Sequence, residues 1–235
     1  LRNSSAASDV YKRQALAPEI HKKWETLTGQ KILERYGMTE VGMALSNKID
    51  GERRPGAVGE ALPNVEIKLE DENGNEIIEE GEIGQILLKG PQVFSCYQNL
   101  PVKTEEAFKD GWFLTGDIAI IDDGYYRLLG RDSIDIIKSG GYKISALEIE
   151  DVLLKNKNVK ECAVFAKHDE KWGEIVVAAI IPKKLAISEE ELQNWCSAYL
   201  SDYKIPRIIK LLDKLPKNSM GKVIKTELKN LFNNP

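Results

Sequence analysis

The chain has 235 residues, 42% of them hydrophobic and 30% charged, with a formal net charge of −4. That balance supports a folded core in one large or two small domains and excludes wholesale disorder. It also argues against nucleic acid as the main partner, which needs a basic face, and no apolar run approaches the ~20 residues of a membrane span.

The cysteines, Cys96, Cys162 and Cys196, are odd in number and widely spaced. They fit neither a disulfide framework nor a metal site, so a reducing compartment is expected, cytoplasm or mitochondrial matrix. The two histidines, His21 and His168, lie far apart. That speaks against a Ser-His-Asp or His-rich metal mechanism, and His168 beside Asp169 and Glu170 reads as a loop residue. The chain opens on Leu1, and residues 1–14 are polar without a clean period. They are set apart as a tail, and the true N-terminus, with any targeting peptide, is expected to be missing.

In chain order, residues 17–28 read as a helix. Pro18 suits its first turn, Ile20, Trp24 and Leu27 share one face, and Gly29 caps it. Lys31–Tyr36 reads as a strand that delivers Gly37-Met38-Thr39-Glu40 to the carboxyl end of a sheet, where open α/β sheets bind ligands. From Pro55 short strands and turns follow. Val65, Ile67 and Leu69 alternate, Asn73-Gly74 signals a hairpin, and Ile83–Leu88 is another strand. Lys103–Phe108 reads as a single helical turn. Ile118–Ile121 and Tyr125–Leu129 flank an Asp122-Asp123-Gly124 hairpin turn, which together suggests a small barrel or distorted sheet.

The period then changes. Ser145-Ala146-Leu147-Glu148 and Ser188-Glu189-Glu190-Glu191 are capping boxes before helices, the second carrying Leu192, Trp195, Cys196, Tyr199 and Leu200 on one stripe. Val159–Ala166, Ile175–Pro182 and Ile208–Leu212 read as strands and Thr226–Phe232 as a last helix. This is an α+β unit of about 100 residues, the size of an independent domain. Between the two patterns lies Gly130–Lys143, whose Gly140-Gly141 pair lets the backbone reach positive φ and a ligand approach closely. A surface hairpin turn explains that pair equally well.

Several polar groups could carry chemistry. Thr39 and Glu40 could hold a phosphate oxygen and Mg²⁺, since Mg²⁺ takes one or two carboxylates plus substrate phosphates. They also fit a helix N-terminus. Asp117, at a presumed strand start, could accept from two ribose hydroxyls or cap a turn. Lys222 follows Gly221 and could reach developing phosphoryl charge, although Val223 rules out a Walker A loop. Solvated surface is the plain alternative for Lys222.

The joint order of these pieces is informative. Tyr36-Gly37-Met38-Thr39-Glu40, Gly111–Asp117, Leu129-Gly130-Arg131 with Lys138–Tyr142, and Pro216–Lys222 stand in the order of four motifs of the adenylate-forming superfamily, and the chain resembles that superfamily over 15–235. The resemblance implies a fold of the class α/β with α+β. Residues 15–130 would be the end of the large domain with its β-barrel-like subdomain, and residues 131–235 a small mobile C-terminal domain. It implies ATP, Mg²⁺ and coenzyme A as cofactors and a small-molecule carboxylic acid as substrate. Thr39, Glu40 (also the metal ligand) and Lys222 would be catalytic. Tyr36, Gly37, Asp117, Arg131, Gly140, Gly141 and Tyr142 would bind nucleotide or coenzyme A. In such enzymes the small domain rotates between half-reactions, exchanging Lys222 for the Gly140-Gly141 loop. The hinge residue falls somewhere in Asp132–Asp135, because the spacing here is one residue longer than in many relatives.

Leu33–Met43, Ser46-Asn47, Gly51–Gly56 and Ile136–Lys143 look specifically like the malonyl-CoA synthetase branch, also called acyl-CoA synthetase family member 3. Lys48 departs from it, standing where a proline is usual. A dicarboxylic acid such as malonate or methylmalonate leaves one carboxylate that needs a cation, and an arginine matches it bidentately. Arg35 is the candidate, against the alternative that it pairs with Glu34 or Asp50. Met43 suits either a pocket wall or the core. The other readings are a medium- or long-chain fatty acid ligase, or a non-catalytic fragment, because the phosphate loop of the large domain is absent. The sequence leaves oligomeric state open.

Overall fold

The computed structural model describes residues 16, 18–183, 187–219 and 221–233. The expected tail, residues 1–14, lies outside them, as does Met220 of the last motif. The fold is mixed α/β, built mainly of antiparallel sheets, and the chain divides into two compact units, residues 15–132 and 133–235. Among the described residues no helix is long and apolar enough to cross a membrane.

The first unit begins with helix α1 (Pro18–Thr28), ended by Gly29 at φ 71°. The periodicity locates this helix but not its inward face. Ile20, Trp24 and Leu27 are exposed, and the residue fully buried is His21. The cause is polar: His21 Nδ1 lies 2.6 Å from Glu34 Oε1, and the same oxygen accepts from Gly56 N at 3.0 Å. Burial raises the Glu34 carboxyl above its usual range, against these hydrogen bonds.

Strand β1 (Arg35–Met38) starts later than the expected Lys31. The Glu34 carbonyl is taken by the Asn47 backbone N–H and side-chain amide, both at 3.0 Å, so the preceding segment is tied to a loop rather than a ladder. β1 pairs antiparallel with β2 (Gly42–Ser46), and β2 with β3 (Glu60–Ala61). Six more strands follow: β4 (Glu66–Glu70), β5 (Glu76–Ile77), β6 (Gly84–Lys89), β7 (Phe108–Lys109), β8 (Trp112–Asp122) and β9 (Tyr125–Arg131). They form one antiparallel sheet, ordered β5-β4-β6-β8-β7 with β9 also on β8. Helix α2 (Pro101–Glu106) precedes β7. Bulges at Gln85/Leu87 and Ile118/Ala119 interrupt the ladders, and such insertions curl a sheet. Leu69, Ile86, Leu88, Phe113 and Ala119 from this sheet pack with Tyr36, Val41 and Leu45 in one core.

The Asp-Gly turn is a two-residue hairpin. Asp122 pairs with Tyr125, and Asp123 and Gly124 have φ of 50° and 76°. Positive φ at both positions is the type I′ geometry that matches strand twist. Asp117 is not at a strand start, as expected, but in the middle of β8, because pairing to β6 and β9 extends the strand from Trp112 to Asp122.

The second unit is a five-stranded sheet. A short helix α3 (Asp132–Asp135) leads into β10 (Ile136–Ser139), which pairs with β11 (Tyr142–Ser145). Helix α4 (Ala146–Leu154) follows, capped by Ser145, whose Oγ accepts from Glu148 N. The Glu148 carboxylate reaches Lys204 Nζ at 2.7 and 2.8 Å. Next come β12 (Val159–Asp169), β13 (Gly173–Pro182), helix α5 (Glu189–Ser197) with the full Ser188/Glu191 capping box, β14 (Ile208–Leu211) and helix α6 (Lys225–Asn233). His168 belongs to β12, not a loop: the strand runs on to Asp169 because β13 pairs it throughout, His168 opposite Glu174.

β13 explains the architecture. Its run Ile175–Ile181 is apolar at every position, which suits a strand covered on both faces. Val176, Ala178 and Ile180 pack with Ile149, Leu153, Leu192 and Cys196 of α4 and α5. Ile175, Val177, Ala179 and Ile181 pack on the other face with Leu228 and Phe232 of α6. β12 is its antiparallel neighbour and β14 its parallel one.

One acid on α4 is held against its nature. Burial, then the neighbouring Glu150 carboxylate, pushes Asp151 from 3.8 up to about 6. A carboxyl whose folded value lies above its unfolded one favours folding only while protonated, so stability is lost as pH rises through that window. Asp151→Asn is expected to leave the melting temperature unchanged at pH 3.5. At pH 7.5 it should add about 1–2 kcal/mol, a two-unit shift discounted for partial exposure. An equal effect at both pH values would refute this assignment.

Candidate nucleotide- and thiol-binding sites

In the first unit the β1–β2 hairpin sets up the site. Met38 pairs with Gly42, so Thr39-Glu40-Val41 is a three-residue loop closed by Gly42 at φ 62°. Val41 N donates to Met38 O at 3.1 Å, a turn with Thr39 and Glu40 at its centre. It puts Thr39, exposed, and Glu40, half-buried, at the tip. The Glu40 carbonyl and carboxylate are both held. Its carbonyl accepts from Phe94 N at 2.7 Å and its Oε1 from the Tyr97 hydroxyl at 3.1 Å. Tyr97 was not singled out in the sequence; no local pattern marks a partner 57 residues away.

Three expected nucleotide residues come together. The Tyr36 hydroxyl donates to Asp117 Oδ2 at 2.7 Å, and Arg131 Nε donates to Oδ1 at 3.1 Å. Asp117 and Arg131 are direct cross-strand partners on β8 and β9. Asp117 N donates to Thr115 Oγ1, which itself donates to Ile86 O at 2.8 Å, so the carboxylate stands on a buried hydroxyl. Burial, with the Asp117 carboxylate beside it, pushes the Tyr36 phenol far above its ordinary range. Tyr36 is therefore a permanent donor. Each Asp117 oxygen keeps a second lone pair for an incoming hydroxyl.

Gly37 has a structural reason of its own. A Cβ there would lie 2.0 Å from the Gly42 carbonyl oxygen, at the bulge between Tyr36 and Gly37. Arg35 and Met43 do not join the Tyr36 group. Neighbouring residues of a strand point to opposite faces, and Arg35 lines a cavity of about 370 Å³ with Met43, Leu45, Lys48 and Glu60. Glu34 bonds His21 and Lys48 pairs with Glu60 at 3.1 Å, while Arg35 makes no ion pair among the described residues.

The metal expectation fits the donors. Among the described residues no group of three His, Cys, Asp or Glu could cage an ion. Mg²⁺ does not need one, since a single carboxylate plus substrate phosphates suffices, and Glu40 Oε2 makes no hydrogen bond among the described residues.

The second unit holds the other expected residues. Ser139 pairs with Tyr142, so Gly140-Gly141 is a two-residue turn with φ 57° and 86°, again type I′. Gly140 N donates to Trp172 O at 3.0 Å, and a Cβ on Gly140 would meet the Trp172 ring at 2.9 Å. The Arg207 guanidinium lies over that ring at 4.4 Å, and Tyr142 stacks on Tyr203 with centroids 4.3 Å apart. Trp172, Tyr203 and Arg207 come from distant segments and carry no motif, which is why the sequence did not point to them.

Lys222 is exposed on a closed turn. Lys217 bridges Val223, Asn218 N donates to Lys222 O, and Lys222 N donates to Asn218 Oδ1, both at 2.9 Å. Its backbone is fixed while its side chain extends outward.

Known proteins match both units. Family models described as AMP-binding enzyme and AMP-binding enzyme C-terminal domain match residues 10–98 and 148–222. Malonate–CoA ligase from Arabidopsis thaliana is 46% identical over 234 residues, covering 94% of this chain and 38% of that protein. Mitochondrial malonate–CoA ligase ACSF3 from Bos taurus is 42% identical over 236 residues, covering 91% and 40%. The ATP-bound crystal structure of MatB from Rhodopseudomonas palustris superposes with a TM-score of 0.84 at 39% identity, over 93% of this chain and 44% of that one. The chain thus spans about two-fifths of the length of the relatives it matches.

Proposed function

Because the chain belongs to the AMP-binding family of adenylate-forming enzymes, we propose that it is part of an ATP-dependent acid–CoA ligase acting on malonate or methylmalonate. The observation that carries the nucleotide half is Asp117, fixed between the Tyr36 hydroxyl and Arg131 with lone pairs to spare. The acid class rests on the likeness to malonate–CoA ligases.

In the first half-reaction a substrate carboxylate oxygen attacks the α-phosphorus of ATP and pyrophosphate leaves. Asp117 takes the ribose hydroxyls and Arg131 steadies Asp117 beside them. Thr39 donates to a phosphate oxygen. Glu40, braced by Tyr97, would hold Mg²⁺, which would neutralise phosphate charge when bound. Lys222 supplies a cation that stabilises charge developing on the transferring group.

In the second half-reaction a thiolate of coenzyme A attacks the acyl carbon, and AMP leaves with the electron pair of the broken C–O bond. Gly141, with open space where a Cβ would stand, lets a thin pantetheine arm pass, while the Trp172 ring fills that place at Gly140. Trp172, with Arg207 above it, and the Tyr142–Tyr203 stack offer aromatic faces and positive charge to the nucleotide end of coenzyme A. We place residues 15–130 as the end of the large domain and 131–235 as the mobile one. Free cysteines throughout, and the mitochondrial naming of the bovine relative, favour cytoplasm or matrix.

The test compares thioester formation from malonate and octanoate by the full-length enzyme; a preference for octanoate would remove the dicarboxylate reading. Arg35 is the proposed partner of the second carboxylate, through the cavity it shares with Met43. Arg35→Ala should raise KM for malonate about tenfold, the worth of one charge-assisted hydrogen bond, and leave kcat alone. Indifference would end the role of Arg35, whose face of β1 is not the Tyr36 face.

A further inference from the structure

Lys225 is a buried lysine that neither half-reaction uses. It opens α6, three residues after Lys222, and is 8% exposed. Its Nζ lies 2.7 Å from Asp135 Oδ1 and 2.8 Å from Glu150 Oε1. Glu150 is itself buried and its Oε1 also accepts from Val164 N at 2.7 Å. Burial pushes the amine down, but the Glu150 and Asp135 carboxylates outweigh it, and the net shift is upward. A charged group in such a place is costly unless paired, and a well-packed apolar side chain would commonly serve stability as well. Something other than stability is therefore to be sought in it.

The partners give the answer. Asp135 ends α3 and directly precedes β10, the strand that carries Gly140-Gly141. Glu150 lies on α4, the helix that follows β11, and its carboxylate meets β12 at Val164. The Lys222 turn is tied at its other end too, by Lys217 Nζ to Glu161 Oε2 on β12 at 2.5 Å. Arg131 is held by Asp117 in the first unit, whereas Asp135 is held by Lys225 in the second. The boundary between the units falls at Asp132/Ser133, between those two anchors.

We infer that Lys225 is a positioning residue that fixes the Lys222 turn to the root of the Gly140-Gly141 strand, so that the adenylating cation and the thiol-side loop move as one body about a pivot within 132–134. The inference rests on the roles given above to Lys222 and Gly140-Gly141. It removes Asp135 from the candidates for the hinge, because a residue clamped into one body cannot be where that body turns.

The test uses the full-length enzyme and reads the half-reactions separately: ATP–pyrophosphate exchange with malonate, and coenzyme A-dependent consumption of supplied acyl-adenylate. Asp135→Asn keeps the shape and leaves the Lys225–Glu150 pair to hold the fold. Exchange kcat should fall about tenfold or more, the scale of an ångström-level misplacement, with KM for ATP nearly unchanged. Thioester formation from the adenylate should persist. A merely structural ion pair would lower both half-reactions together with the folded fraction, and that outcome, or no change in either, overturns the inference. Lys225→Arg should keep more of the exchange than Lys225→Met. Lys222→Ala in parallel separates the two levels: if it leaves exchange intact, the role of Lys222 has failed, rather than the role of Lys225.

Discussion

Replacing Lys222 with alanine is expected to lower acyl-adenylate formation by the full-length enzyme about 10²–10³-fold, the usual cost of deleting one preorganised group that faces transition-state charge. The structure says why the loss should be clean. Lys222 is exposed, and the turn that carries it is closed by backbone bonds and by Asn218, none of which needs the Lys222 amine. Melting temperature should therefore stay within about a degree, as for surface changes generally. The thiol step should survive, because its elements, Gly140 and Gly141, are shaped by Trp172 and by the β10–β11 register. The measurement is pyrophosphate exchange beside adenylate consumption. Full exchange activity in the variant would remove Lys222 from the mechanism.

The second large effect is on the fold and on the site together. Gly37→Ala is expected to destabilise this chain by about 3 kcal/mol or more, since the new methyl meets backbone rather than a yielding side chain. Its Cβ would lie 2.0 Å from Gly42 O and 3.0 Å from Met43 Cα. Relief requires the β1–β2 hairpin to open at its bulge, which shifts Thr39 and Glu40 at the tip. Gly81→Ala is the control: φ is 82° but nothing lies within 4 Å of the added atom. It should cost only about 1–2 kcal/mol of left-handed strain. Denaturant unfolding of both variants decides. Gly37 has no positive φ of its own, so a loss no larger than that of Gly81→Ala would mean that the close approach of the two backbones relaxes cheaply and does not explain Gly37.

How the chain was legible follows from the range of its contacts. Both type I′ turns, Asp123-Gly124 and Gly140-Gly141, were visible because the turn chemistry sits in adjacent residues. The Ser188/Glu191 box spans three, and the run Ile175–Ile181 declares itself by composition. What stayed hidden was long-range polar pairing. His21 with Glu34 turned the apolar face of α1 outward. Tyr97 braces Glu40, Trp172 sits under Gly140, and Lys225 reaches Asp135 across 90 positions. None of these leaves a period in the sequence, since a hydrogen bond needs one donor and one acceptor rather than a repeating face. Asp117 reads locally as a strand start for a related reason: pairing to β6 before it and to β9 after it carries β8 through, and neither ladder is marked in the local composition.

The Asp123-Gly124 hairpin has one more consequence, for insertions and deletions. An exposed turn is ordinarily where chain length is free to vary. This one sets the count of residues between Asp117 and Arg131, which face each other only because a two-residue turn and the single extra residue at Leu129 together bring them opposite. One added residue would turn the far strand over and aim Arg131 away from the carboxylate. The tip of that hairpin, exposed and held by Arg54 and Glu80, is thus bound to a fixed length by a pair of side chains at its base.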